Sequence, residues 1–140
     1  MGRLGGVRGV RGVRGVHVVP LEDVAPIALP GGSWSRVLLT GERVGSATAL
    51  GFSSFAPRTS TAMLSHETEE LAYVLSGRGE LRLDEERVPY GPESALYIPA
   101  GVWHAVVNDG DEPVTMVFAF PHPDYPPTER RAAEADGPGA

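Results

Sequence analysis

The sequence predicts an all-β sandwich or barrel. Short apolar runs recur at spacings of about 8 to 12 residues along most of the chain. Turn-forming clusters separate them, among them Gly41-Glu42-Arg43, Ser76-Gly77-Arg78-Gly79 and Asn108-Asp109-Gly110-Asp111. Almost no stretch carries the 3.6-residue period of an amphipathic helix.

Residues 1–16 read MGRLGGVRGVRGVRGV, in which Val-Arg-Gly recurs three times. A period of three suits neither helix nor strand, and a glycine in every triplet is costly to order. A disordered basic extension is expected, and without a continuous apolar run it is not a secretory signal. Val16 to Val19 is a short edge strand ended by Pro20, and residues 20–33, rich in Pro and Gly, form loop. Strands are expected over 36–40 and 44–55 around a turn at 41–43. In the second of these, Leu50 and Phe52 share a parity among small partners and are assigned to the inward face. After a turn at 56–59, a strand over 61–66 places Ala62, Leu64 and His66 on one side. Strands 71–75 and 80–83 flank the Gly-rich hairpin signal at 76–79. Asp84-Glu85-Glu86 is a solvated tip. Strands 87–90, 95–98, 103–107 and 113–120 complete the sheet, the last with Val114, Met116, Phe118 and Phe120 on one face.

Beyond Phe120, five prolines in eighteen residues forbid a regular strand, and residues 128–135 are read as one or two helical turns. The organisation is therefore an extension over 1–16, a β-domain over 17–122 and a Pro-rich, frayed tail over 123–140.

One domain is natural for 140 residues, long enough to bury a core without disulfides. Cysteine is absent, which removes disulfides and thiolate metal sites and permits a reducing cytoplasm, the expected location. All twelve basic residues are Arg; Lys and Gln are absent and Asn108 is the one Asn, a bias of high-GC bacterial genomes. The net charge of −6 argues against a nucleic-acid surface. No apolar run approaches the roughly 20 residues of a membrane span.

The chemistry concentrates between His66 and Asn108. His66 and Glu70 share a parity in one block, and His104 comes from another strand about 40 residues on. Two histidines and a carboxylate on strands make a ligand set for a metal inside a sheet. Pro99, Gly101, His104 and Asn108 follow the pattern Pro-x-Gly-x-x-His-x-x-x-Asn, and Glu70 is followed by Ser76-Gly77.

These motifs resemble the cupin superfamily over roughly residues 44–120, with the second motif complete and the first lacking one histidine, whose place is taken by Leu64. The resemblance implies a double-stranded β-helix, the jelly-roll barrel, with His66, Glu70 and His104 converging on one divalent metal (Fe, Mn, Ni or Zn). No organic cofactor is expected. Without a metal, Glu70 and His104 form a candidate acid–base pair, with the carboxyl partly desolvated beside Leu64 and Ala72. Asn108 is read as a turn former, and His122 could reach inward only if the Pro-rich tail folds over the barrel mouth.

The candidate pocket is apolar, lined by Leu50, Phe52, Leu64, Ala72, Met116 and Phe118, and suits a hydrophobic or aromatic small molecule. By family analogy the expected function is a small dioxygenase, cyclase or isomerase of secondary metabolism; the alternative is a non-catalytic binding or sensor module that has lost full metal binding. A homodimer is expected, with Trp34, Tyr97 and Trp103 as outer aromatics. A DNA-binding module beside the barrel is not expected.

Overall fold

A computed structural model describes residues 11–131. The remainder of the expected extension (1–10) and of the expected tail (132–140) lies outside the described residues. The chain begins with a hairpin. Arg11–Val13 (β1) pairs antiparallel with Val16–Val18 (β2). Part of the stretch expected to be disordered is thus ordered, because the repeat places Arg14-Gly15 at the turn. Both residues have positive φ, 56° and 81°, the backbone of a tight two-residue hairpin loop.

The loop over 20–33 contains two single 3₁₀ turns and the two-residue strand Ile27–Ala28 (β3). Trp34–Leu39 (β4) follows. A short helix, Gly41–Val44 (α1), replaces the expected turn: Thr40 Oγ1 accepts from the Arg43 amide at 3.0 Å, and Gly45 at φ 80° ends it. The next strand therefore starts later than expected, at Ala49–Phe55 (β5). Then come Thr59–Ser60 (β6), Met63–His66 (β7), Glu70–Ser76 (β8), Gly79–Arg82 (β9), Arg87–Tyr90 (β10), Ala95–Ile98 (β11), Ala105–Asn108 (β12) and Val114–Phe120 (β13). The chain described ends on a strand, Thr128–Arg131 (β14), where helical turns were expected.

Two sheets enclose one core. The larger runs β11-β8-β13-β5-β4-β3 and the smaller β10-β9-β12-β6. The hydrogen bonds of β12 continue past β6 through Thr61 and Leu64, so β7 lies along the same edge, and β14 adds to the outer side of β7. The core joins Leu81 and Tyr90 of the smaller sheet to Ala72, Val74, Val114, Met116 and Phe118 of the larger. This is a jelly roll, as expected. Asn108 is fully buried and ties its far end: its amide donates to the carbonyls of Phe55, Ala56 and Glu112 at 2.9–3.2 Å, and its oxygen accepts from Gly110 at 3.0 Å.

Strand β5 alternates strictly, and the buried residues are Ala49, Gly51, Ser53 and Phe55. Leu50 and Phe52, expected to face inward, lie on the other face, where Phe52 stacks on Trp34 at 5.8 Å. The cause is space. A Cβ on Gly51 would sit 2.3 Å from Cζ of Phe118, so the inner face opposite that ring holds only the smallest residue. A one-residue change of parity moves the large side chains outward. Among the described residues, no helix is long and apolar enough to cross a membrane.

Candidate functional site

Glu70 opens β8 in the larger sheet, whereas His66 ends β7, which pairs with β14, and His104 immediately precedes β12 of the smaller sheet. The three meet across the barrel interior. His104 is placed by backbone: its N–H and C=O exchange hydrogen bonds with Leu64 at 2.9 and 2.8 Å. The turn that delivers it bends at Gly101, with φ 80°, and the Gly101 amide donates to the His66 carbonyl at 2.8 Å. Pro99 accepts from Val102 across the same turn.

One carboxylate oxygen faces both imidazoles. Glu70 Oε1 lies 3.3 Å from His66 Nε2 and 3.7 Å from His104 Nε2. The outward nitrogens define the tautomers. His104 Nδ1 is 2.9 Å from the Val102 carbonyl, which can only accept, so this nitrogen carries the hydrogen. His66 Nδ1 is 2.7 Å from Thr128 Oγ1, and the Thr128 hydroxyl itself donates to the Pro126 carbonyl at 2.8 Å. His66 Nδ1 is therefore also the donor. Both Nε2 atoms then present lone pairs toward Glu70.

Three lone-pair groups within 4.8 Å of one another, two on residues under 5 % exposed, call for a cation between them, either a proton or a metal ion. Histidines whose far N–H is held by a carbonyl and a hydroxyl are arranged as metal-ligating histidines are. Burial lowers the pKa of His104 from its usual 6.5, against the opposing effects of the Val102 carbonyl and the Glu70 carboxylate, and a neutral ring is the form that ligates.

Around the cluster lies a cavity of about 80 Å³ lined by Leu64, His66, Glu70, His104, Phe118 and Phe120, with Tyr125 and Arg130 at its C-terminal side. Leu64 and Phe118 stand where the pocket expectation put them. Ala72 and Met116 are buried in the core without lining the cavity, and Leu50 and Phe52 are on the outer sheet face. The tail does cross the barrel mouth, but His122 does not enter; its Nδ1 engages the backbone of Asp124. Tyr125 lines the mouth instead, about 40% exposed, with its ring edge-on to His66 at 5.5 Å. Burial and the nearby Glu70 carboxylate push the Tyr125 phenol up to about 12, partly offset by Thr128 and Arg130.

The cupin domain family matches residues 51–120, half of the chain. The chain belongs to the cupin family. This cupin is 35% identical over 103 residues to the polyketide synthase CurC of Streptomyces cyaneus, covering 72% of this chain and 66% of that one. It is 31% identical over 102 residues to the tetracenomycin polyketide synthase protein TcmJ of Streptomyces glaucescens, covering 71% and 68%. It spans about two thirds of the length of these relatives. Among solved structures it is similar to the polyketide cyclase RemF of Streptomyces resistomycificus, with TM-score 0.70 and 25% identity over 85% of this chain and 87% of that one.

Proposed function

We propose that this cupin is a cyclase of polyketide-type secondary metabolism that acts on an enolisable polycarbonyl or aromatic precursor and depends on a divalent metal. The observation that carries the proposal is the convergence of His66 Nε2, His104 Nε2 and Glu70 Oε1, with both tautomers held from outside. The likeness to CurC, TcmJ and RemF supports the substrate class. A bound Fe, Mn, Ni or Zn ion would supply Lewis-acid polarisation of a substrate carbonyl.

The chain's own residues supply the proton chemistry. Both imidazoles approach Oε1 of Glu70, which leaves Oε2 to take a proton from a carbon flanked by two carbonyls. That carbon attacks a second carbonyl carbon of the same molecule, a C–C bond forms, and the carbonyl π-electrons move to its oxygen. Glu70 returns its proton to the new alkoxide, so the ring closure is redox-neutral. Phe118, Phe120 and Leu64 keep water from the intermediate. A second reading, a non-catalytic binding or sensor cupin, is favoured by the small cavity and by an apolar residue at Leu64.

Protein purified without chelator should carry near one equivalent of divalent metal by elemental analysis. His104→Ala should lose it while circular dichroism is unchanged. Leu64→His should tighten it, since Leu64 pairs directly with His104 and faces the same cavity. Equal, weak binding of Ni or Zn by calorimetry across wild type and both variants would remove the metal and leave Glu70 and His104 as an acid–base pair or as ligand contacts. We propose in addition a cytoplasmic homodimer. The outer face of the larger sheet exposes Leu71, Tyr73 and Leu75 at about 45% each and Tyr97 at 61%, a patch of the kind that interfaces cover. A light-scattering mass of one chain at micromolar concentration would refute it.

A further inference from the structure

Strand β14 sends its two arginines to opposite sides of the sheet. Thr128 stands opposite His66 and Arg130 opposite Leu64. Directly opposed residues of an antiparallel pair share a face, and His66 and Leu64 both line the cavity. Thr128 and Arg130 therefore lie on the cavity side, as the Thr128–His66 hydrogen bond and the place of Arg130 in the cavity wall bear out, with Arg130 at the solvent-exposed rim. Arg131 turns outward, pairs with Asp84 and lies over the Trp103 ring at 4.4 Å. Arg130 makes no ion pair and no side-chain hydrogen bond among the described residues.

Tyr125 approaches the same space from the segment before β14, edge-on to His66 and to Phe120 at 5.2 Å. Backbone bonds hold this strap across the mouth: the Gly41 amide donates to Pro123 at 2.6 Å and the Glu67 amide to Pro127 at 3.0 Å. The cavity thus has a basic wall of carboxylate and imidazole lone pairs, and at its mouth a guanidinium and a phenol, both partly open to solvent and free to donate to a ligand. A guanidinium presents two parallel N–H groups to a planar, delocalised oxyanion, and a phenol adds a third donor. The cavity of about 80 Å³ suits the insertion of one end of a ligand.

We propose that Arg130 and Tyr125 form a clamp for a delocalised planar oxyanion, the enolate of a 1,3-dicarbonyl or a carboxylate, and so select ligands that carry one at the end inserted into the barrel. The clamp deepens the cyclase reading and rests on it for the placement of the reacting carbon at Glu70. If Glu70 removes the proton, negative charge grows on the carbonyl oxygens at the side where Arg130 and Tyr125 already stand, and donors aimed at developing charge favour its formation.

Two small probes separate the sources of the oxyanion. Acetylacetone presents only an enolate, which is followed by its near-ultraviolet absorbance; isobutyrate presents only a carboxylate, followed by its competition with acetylacetone. Wild type should bind acetylacetone as the enolate. Arg130→Met should weaken this by about tenfold or more, the scale of one lost charge-assisted contact, Arg130→Lys by less, and Tyr125→Phe severalfold. Arg131→Met, the outward neighbour, should change it less than twofold. Isobutyrate competition that is itself weakened in Arg130→Met extends the clamp to carboxylates; no competition narrows it to enolates. Equal binding by Arg130→Met and Arg131→Met, both folded by circular dichroism, overturns the clamp, as does failure of wild type to bind either probe. The parent reading is tested apart from it: Arg130-dependent binding by a protein that never cyclises a polycarbonyl substrate sinks the cyclase and leaves the clamp.

Discussion

Two strand pairs sit at the margins of this jelly roll, and only one of them reaches the cavity. In the first, β1 and β2 pair with each other across a two-residue loop, and Val13, Val16 and Val18 of that hairpin are 58–68% exposed. In the second, β14 pairs with β7, a strand more than sixty residues earlier that carries His66. The hairpin satisfies its backbone groups locally and buries little. β14 completes the edge of a sheet whose inner face holds the cluster, so its side chains acquire positions relative to His66 and Leu64. A marginal segment contributes to a site when it borrows its hydrogen bonds from the element that carries the site.

The strongest way to break this comparison is to delete each segment in turn. Removing residues 121–140 should uncover β7, strip the hydrogen-bond acceptor from His66 and remove Tyr125 and Arg130. Metal or probe binding should fall at least tenfold, and the melting temperature should drop by an amount corresponding to several kcal/mol, roughly the scale of losing packed and paired structure at several positions. Removing residues 1–14 should cost less than about 1 kcal/mol, because the hairpin is exposed and closes on itself. Equal losses in paired thermal melts would mean that the hairpin is docked in solution.

A smaller effect isolates one atom of the second segment. Thr128→Val keeps the shape of the side chain but removes the acceptor of the His66 Nδ1 hydrogen at 2.7 Å. The expected cost is about 1–3 kcal/mol in stability for a buried donor left unmade, and about tenfold or more in metal affinity for a ligand freed to rotate. Thr128→Ser should recover most of both. Calorimetry with Zn on the three proteins checks this, and an unchanged affinity in Thr128→Val would show that the ring is oriented by its packing on Phe120 and Tyr125 alone.

What the sequence conveyed and what it withheld follow from the same contrast. The His66–Glu70–His104 cluster was legible because polar residues interrupt apolar strands at fixed parity, and Pro99 and Gly101 announce the turn before His104. The strands were legible wherever turn chemistry bracketed them, as at Arg87–Tyr90 and Ala95–Ile98. The parity of β5 was not, because Ala49, Gly51 and Ser53 are small and the bulk of Leu50 and Phe52 draws the eye inward; only the tertiary approach of Phe118 decides the face. Thr128-Glu129-Arg130-Arg131 carries no apolar alternation at all. Its strand exists because β7 offers a free edge, a fact that no local pattern records, and with it went any sign of Thr128, Tyr125 or Arg130 in the site.

The finest test asks whether the strap is closed in solution, and the composition makes it unusually clean. With no Lys and no Cys, the groups that titrate between about pH 9 and 12 are the four tyrosines. Tyr90 is buried in the core with its hydroxyl unpartnered, and burial pushes it up to about 12. Tyr125 reaches about 12 for a different reason: its ring is desolvated against His66 and Phe120 and lies near the Glu70 carboxylate, although about 40% of the residue stays exposed. In both, the folded state favours the protonated phenol, so the folded pKa is raised. The associated stability is complete below the unfolded value of 10.0 and is lost as the pH rises through 12. Tyr97 is raised as well, first by its hydrogen bond to Glu69, so the difference between proteins is the readout: a closed strap predicts that Tyr125→Phe removes one late-ionising tyrosine from the phenolate absorbance. If the strap is open for most of the time, Tyr125 meets water and titrates near its ordinary value while Tyr90 stays late. A late-ionising phase left unchanged in Tyr125→Phe would thus make the C-terminal segment as loosely attached as the N-terminal hairpin.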